Sequence, residues 1–390
     1  VANPGVTYEQ WQDCTSALAM HGTKAEAAKV LGLPYETFRS RLASGNTRFA
    51  GRAGVDGSAP DGYMVKGRST LYGPDGEIKA EWVKTTADRE RLQEMFKAAV
   101  DEMAKDLPRV RPIKAPVVDA DDLLVVLPVG DHHLGQYSWH EETGDDYDLD
   151  IGERLLVGAT KDLLNAVPKA GTCVIAFMGD FMDYDSWEAV TPTSRNLMDA
   201  DGRFPKMVRA AIRCMRHMIE AAAKQFAKVH VIVEIGNHDL ASSIFLMECM
   251  ANIYADNPRI TVDTSPRHFH YYEFGVNAIG THHGHGVKMK DLPLLMATDN
   301  PDMWGRTKHR IFWVGHVHHK DTKAKDHTGC AVETLRVLGP RSAWADQRGF
   351  RSPREMIAVV YHREFGERTR ITVNPDMLTS NVGRAVDSVA

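Results

Sequence analysis

The stretch Thr172-Cys173-Val174-Ile175-Ala176-Phe177-Met178-Gly179-Asp180-Phe181-Met182-Asp183-Tyr184-Asp185 decides how the rest of the chain is read. Its apolar run, Cys173 to Met178, stops at Gly179-Asp180, and a second carboxylate follows at Asp183. A short apolar run closed by glycine reads as a buried strand that delivers its next side chain to a sheet edge. Four more runs end in the same way. Leu123–Val129 leads into Gly130-Asp131-His132-His133, and Val229–Ile235 into Gly236-Asn237-His238-Asp239. Val276–Gly280 leads into Thr281-His282-His283-Gly284, and Ile311–Val314 into Gly315-His316-Val317-His318. Between the second and third runs, Met207, Ala211, Cys214, Met215 and Met218 keep helical register from Pro205 to Lys228. Strands alternating with helices predict an α/β fold. Open sheets of that class gather their ligands at the carboxyl ends of the strands.

Composition narrows the class. An apolar content of 43% and a charged content of 25% are those of an ordinary globular protein. No apolar run approaches the ~20 residues that cross a bilayer, and the first residues carry neither a basic segment nor an apolar core. Five scattered cysteines without a Cys-x-x-Cys pair read as reduced core residues, so a cytoplasmic protein with no membrane partner is expected. The net charge of −5 does not advertise nucleic acid, although a local basic patch is compatible with it. The histidines are more telling. They pair at His132-His133, His282-His283 and His318-His319, at the ends of apolar runs, which points to metal.

Toward the amino terminus, Trp11, Leu18 and Met20 share a helical period. Thr23 and Glu26 form a capping box ahead of a short helix carrying Ala27, Val30 and Leu31. Gly32 supplies a turn, and a second helix from about Tyr35 turns Phe38 and Leu42 inward and Arg39 and Arg41 outward. This spacing resembles the helix-turn-helix of bacterial and phage regulators, which implies a small α-helical domain over residues 1–48. Lys24, Arg39 and Arg41 would then contact DNA; a two-helix protein-contact module is the plainer alternative. Residues 49–122 read as a linker, a β-hairpin around Gly73-Pro74-Asp75-Gly76 and a connecting amphipathic helix from Asp88 to Lys105. The catalytic domain is expected over 123–374 and a tail over 375–390.

Taken singly, each His/Asp cluster is weak, since Gly-Asn-His-Asp is also an ordinary turn. Five in one chain form a pattern. In this order, Asp131-x-His133, Gly179-Asp180-x-x-Asp183, Gly236-Asn237-His238-Asp239, His283-Gly284 and Gly315-His316-x-His318 resemble the calcineurin-like metallophosphoesterase superfamily. The resemblance implies an αββα sandwich of two mixed sheets flanked by helices. It also implies two divalent ions about 3.5–4 Å apart that neutralise a phosphoester and generate hydroxide at neutral pH. One would take Asp131, His133, Asp180 and His318; the other would take Asp180, Asn237, His283 and His316, with Asp180 shared. Nitrogen and oxygen donors without thiolate suit manganese, the favoured ion, or iron or zinc, with magnesium admissible. His238 would stand beside the scissile phosphate as proton donor or charge stabiliser, with Asp183 orienting it. The implied nucleophile is a metal-bridging hydroxide.

The departures from the family pattern matter as well. Tyr184-Asp185 stands where the superfamily's protein phosphatases have Arg-Gly, and Asp239 where they have Glu. The chain therefore looks more like the phosphodiesterase and nuclease branch, such as SbcD-type repair nucleases. Asp185–Arg203 becomes a substrate-facing loop in which Arg195 and Arg203 contact phosphates. A helix-turn-helix joined to a phosphoesterase resembles proteins of bacteriophage genomes, which would place it in the host cytoplasm, and points to a DNA-directed phosphodiesterase; a protein partner is left open. Two rivals stand beside it: a phosphoesterase for a small phosphoester, and a DNA-binding regulator whose phosphoesterase domain is non-catalytic. The full ligand set weighs against the second.

Overall fold

Cys173, Ile175 and Phe177 point into one apolar core while Val174, Ala176 and Met178 point into another, so the strand carrying them is covered on both faces. The computed structural model describes residues 6–49, 63–72, 78–87, 110, 112–118, 120–192, 195–319 and 329–378. They fall into two units, Val1–Met95 and Phe96–Ala390.

In the first unit, α1 (Tyr8–His21), α2 (Lys24–Val30) and α3 (Tyr35–Phe49) enclose Cys14, Ala17, Ala27, Ala28, Phe38 and Leu42. Thr23 caps α2 by accepting the Glu26 N–H, and Gly22 ends α1 in the left-handed conformation. Two expectations fail: Met20 is 80% exposed and Val30 61%. On helices of two to four turns, the small Ala27 and Ala28 let the neighbouring helices approach, and that close contact selects the buried face. α3 ends at Phe49, the residue expected to open the linker. The hairpin expectation corresponds to β1 (Tyr63–Tyr72) paired antiparallel with β2 (Ile78–Ala87). Its turn, the expected helix over 88–105 and residues 379–390 lie outside the described residues.

The second unit stacks two mixed sheets. The first runs β12-β11-β3-β4-β5-β6, built from β3 (Ala120–Val129), β4 (Ala170–Phe177), β5 (Lys228–Val233), β6 (Ile260–Val262), β11 (Met356–His362) and β12 (Gly366–Val373). β3 to β6 are parallel, and β11 and β12 add an antiparallel edge. The second runs β10-β9-β8-β7, from β7 (His270–Phe274), β8 (Asn277–His282), β9 (His309–Val314) and β10 (Ala331–Thr334). β8, β9 and β10 are parallel and β7 is antiparallel.

A short α4 (His140–Thr143) follows β3, and α5 (Leu149–Ala166), α6 (Phe204–Gln225) and α7 (Leu240–Ile253) cover the outer face of the first sheet. α8 (Leu292–Asp299) and α9 (Pro301–Arg306) cover the outer face of the second through Leu292, Met296 and Met303. Between the sheets lie Leu124, Val126, Ile232, Ile279, Trp313 and Val359, and Trp313 is wholly buried. A final short helix, α10 (Ala343–Gln347), lies between β10 and β11. Leu378 packs on this core beside α5, so ordered chain continues past the expected start of the tail. No described helix is long and apolar enough to cross a membrane.

Candidate metal centre

The loops leaving β3, β4 and β5 are braced by their own backbones. The segment after β3 lies along the segment after β4: His133 N–H donates to Asp180 O (3.0 Å), Leu134 N–H to Phe181 O (3.0 Å) and Asp183 N–H to Leu134 O (2.9 Å). The buried Asp239 carboxylate then collects the N–H groups of Asp180 (3.0 Å), Phe181 (2.8 Å) and Met182 (3.1 Å). Asp185 accepts the N–H groups of Ala241 (2.7 Å) and Ser242 (2.8 Å), capping the first turn of α7. Both carboxylates are structural devices that sequence reasoning missed, because it used Asp239 and Asp185 only to tell branches of a family apart. Asp239 stands at the N-cap of α7 but makes no side-chain cap bond there, which leaves that turn to Asp185.

Glycine lets these loops touch. A Cβ on Gly236 would fall 2.1 Å from the Asp180 nitrogen, and one on Gly179 would fall 2.7 Å from His283 Nδ1. Among the described residues, the non-glycine positions with positive φ are His133, Asp180, Arg195, His316 and His318. Four of the five are expected ligands, and strain of this kind persists only where the surroundings impose it.

The structure brings all seven expected ligands together. Asp131, His133 and His318 form one cluster, and Asp180, His283 and His316 another. In the first, His318 Nε2 lies 2.9 Å from Asp131 Oδ2 and 3.1 Å from His133 Nε2. In the second, His283 Nε2 lies 3.2 Å from Asp180 Oδ2 and 3.0 Å from Asn237 Oδ1. The His316 N–H donates to Asp131 Oδ2 (2.7 Å), joining the two groups.

Asp183 departs from its expected role. Its carboxylate pairs with His133 Nδ1 (2.9 Å), not with His238, and its peptide carbonyl receives the His238 ring (2.8 Å). The backbone ladder explains this, since pairing Asp183 with Leu134 sets its side chain beside the neighbouring His133. His238 is held additionally by its N–H on Asp180 Oδ1 (2.7 Å), and its ring meets His133 edge-on.

The charges act on one another. Burial disfavours ionised Asp180, but His283, His238 and His133 pull its carboxyl far below the usual range. Burial likewise opposes a proton on His283, and the Asp180 and Asp131 carboxylates overcome it, raising the ring to about 10. Asp239 is pushed up to about 7 by burial and the neighbouring Asp180 charge.

These residues fit divalent cations. Asp131 Oδ1 and Asp183 Oδ2 are buried without a hydrogen-bond partner. His133 Nδ1 is engaged by Asp183, which turns its Nε2 toward His318 Nε2. His283 Nδ1 donates to Met178 O (2.8 Å), which turns its Nε2 toward Asp180 and Asn237. Converging imidazole nitrogens and two orphaned carboxylate oxygens form a donor set that a cation satisfies.

The other predicted residues are described each within its own unit. Arg195 is exposed and pairs with Glu188 at 2.5 Å, and Arg203 is exposed at the start of α6. Lys24 and Arg39 are exposed in the first unit, Arg39 lying 3.1 Å from Glu36, and Arg41 is half-buried.

No protein-family model matches the chain, and no curated protein matches it. Among solved structures it is similar to a dimetal phosphatase from Danio rerio (11% identity, TM-score 0.31, covering 64% of this chain and 98% of that one). It is also similar to a predicted phosphoesterase from Streptococcus pneumoniae (11%, 0.26, 64% and 98%) and to Vps29 from Entamoeba histolytica (12%, 0.26, 65% and 99%). Overlaps this loose leave the functional reading to rest on the site itself.

Proposed function

We propose that the chain is a dinuclear metal-dependent phosphoesterase of the calcineurin-like type. More particularly, we propose a phosphodiesterase acting on DNA. The chief support is the convergence of the Asp131/His133/His318 and Asp180/His283/His316 clusters at the strand ends of two packed sheets. Asp131, His133 and His318 would hold one cation and Asn237, His283 and His316 the other, with Asp180 shared. When bound, the two ions, most suitably manganese, would supply charge neutralisation for a phosphoester and a lowered pKa for water.

The chain's own groups do the rest. Asp183 fixes the ring orientation and tautomer of His133. His238, anchored through Nδ1 on a carbonyl, keeps Nε2 as the nitrogen that passes a proton to the leaving oxygen. DNA is favoured by the exposed Lys24 and Arg39 on the helices after the Thr23 cap, together with Arg41, and Arg195 and Arg203 are proposed as phosphate contacts.

The test incubates the purified chain with Mn²⁺ and labelled single- and double-stranded DNA, bis-p-nitrophenyl phosphate or p-nitrophenyl phosphate, beside His238→Ala. Metal-dependent cleavage of DNA and of the diester, reduced at least a hundredfold by His238→Ala, is expected. Cleavage of the monoester alone would overturn the DNA reading, and absence of turnover on every substrate would overturn the enzyme.

A further inference from the structure

On the loop that leaves the expected ligand His133, the second unit holds an open cavity of about 390 Å³, lined by Tyr137, Trp139, Glu142, Asp199, Trp344 and Gln347 among others. Tyr137 is four residues beyond His133, and the Gln136 N–H donates to His133 O (3.0 Å), so one wall of the cavity continues the ligand loop. Three separate segments are locked together around it. Tyr137 N–H donates to Asp199 O (2.9 Å), Gln136 Nε2 to Pro340 O (3.1 Å) and Ser138 Oγ to Arg341 O (3.3 Å). The walls are thus organised before any ligand arrives.

Their chemistry is unusual for a surface. Tyr137, Trp139 and Trp344 are each about half exposed, three large rings around one hollow. Trp344 is braced by Phe350, stacked at 5.9 Å, and by the Arg348 guanidinium 4.2 Å from the ring centre. Partly exposed aromatic rings suit a flat, π-rich ligand. The polar lining includes Glu142, Asp199 and Gln347, with two carboxylates that repel a phosphate and accept hydrogen bonds from amino groups. A planar ring bearing an exocyclic amine meets both demands, as cytosine does with Asp or Glu.

We propose that this cavity is a nucleobase subsite that stacks one base of a single-stranded nucleic acid while the neighbouring backbone crosses the metal centre. It prefers amino-bearing bases to thymine. The subsite rests on the nucleic-acid reading of the substrate. It extends that reading by assigning recognition to aromatic stacking at Trp139 and Trp344 and amine readout at Glu142.

Binding without turnover tests it. Fluorescence anisotropy of the full chain in EDTA is read with short single-stranded oligonucleotides that differ at one internal position: cytosine, thymine or an abasic sugar. The wild-type chain is expected to prefer the cytosine strand to the abasic one by roughly tenfold. Trp139→Ala and Trp344→Ala should each erase most of that ratio, Trp344→Phe should retain it, and Glu142→Gln should narrow the cytosine-to-thymine ratio. Because both indoles are half exposed, these variants should keep their folds, which circular dichroism checks. An unchanged base-to-abasic ratio in both alanine variants, or no base preference in the wild type, overturns the subsite. If the ratio shifts as expected but Mn²⁺ supports no DNA cleavage, the subsite stands and the hydrolytic reading falls. If DNA is cleaved and the ratio is indifferent to both tryptophans, the subsite falls and the hydrolytic reading stands.

Discussion

The two sheets of the second unit supply the metal centre with different things. Loops of the six-stranded sheet bring every carboxylate, Asp131, Asp180 and the orienting Asp183, together with Asn237, His133 and His238. The four-stranded sheet brings imidazoles alone, His283, His316 and His318. The first set is fixed internally, by the backbone bonds of His133 and Leu134 to the 180–183 segment and by Asp239, which holds the N–H groups of 180–182. The second is oriented from across the gap: His283 Nδ1 donates to Met178 O and the His316 N–H to Asp131 Oδ2. One sheet sets the geometry and the other adopts it, so the centre depends on the sheets staying in register.

The largest expected effect comes from disturbing the side that sets the geometry. Asp180→Asn removes the carboxylate proposed to be shared, and should cut metal-dependent hydrolysis by about a thousandfold while bound manganese, counted by elemental analysis, falls below two per chain. Retention of two ions would show that neither cluster needs that charge. Trp313→Ala attacks the packing between the sheets instead. Emptying a wholly buried indole site should cost about 3–5 kcal/mol in urea unfolding and weaken both ions together. Weakening of only one would mean that the imidazole side is organised without the other sheet.

A buried ion pair offers a third handle. Glu234 follows β5, and its carboxylate lies 3.0 Å from His270 Nδ1 on β7 while accepting from Thr281 on β8. Burial alone would lower His270, but Glu234 pushes it up to about 9, above the ordinary value near 6.5. A raised folded-state value stabilises fully below about pH 6.5 and fades as pH rises through about 9, a contribution of order 2–3 kcal/mol. His270→Gln should therefore flatten the fall in unfolding free energy between pH 6.5 and 9. An unchanged slope would remove the pair from the inter-sheet account. The smallest effect is expected from Asp183→Asn, which loosens the orientation of His133 and should lower manganese affinity ten- to a hundredfold by isothermal titration. A change in the His238-dependent step without a change in affinity would return the Asp183 carboxylate to His238.

Much of this centre could be read in advance, because buried strands and the loops that end them are local features. Cys173–Met178 has no polar side chain to confuse its boundaries, and Gly179 marks its end. The roles that escaped are those in which one side chain serves a distant backbone. Asp239 reaches back 57 to 59 residues to hold three N–H groups, and Asp185 reaches forward to cap α7. Nothing in the spacing of either residue signals its partner. Met20 and Val30 were misplaced for a related reason: on a short helix the buried face is chosen by what packs against it. The aromatic cavity was illegible outright, since Tyr137 and Trp344 are 207 positions apart and ordinary in their local sequence.

The left-handed backbone at His133, Asp180, His316 and His318 bears on whether the centre can be transplanted. Each such L-residue costs on the order of 1–2 kcal/mol against its relaxed conformation. A free peptide carrying one of these loops would spend its time elsewhere and present its donors in the wrong directions. Seven side chains copied onto an unstrained scaffold would lack the same backbone. An engineer wishing to move the centre must therefore carry Asp239, Gly179, Gly236 and the paired strand ends with it.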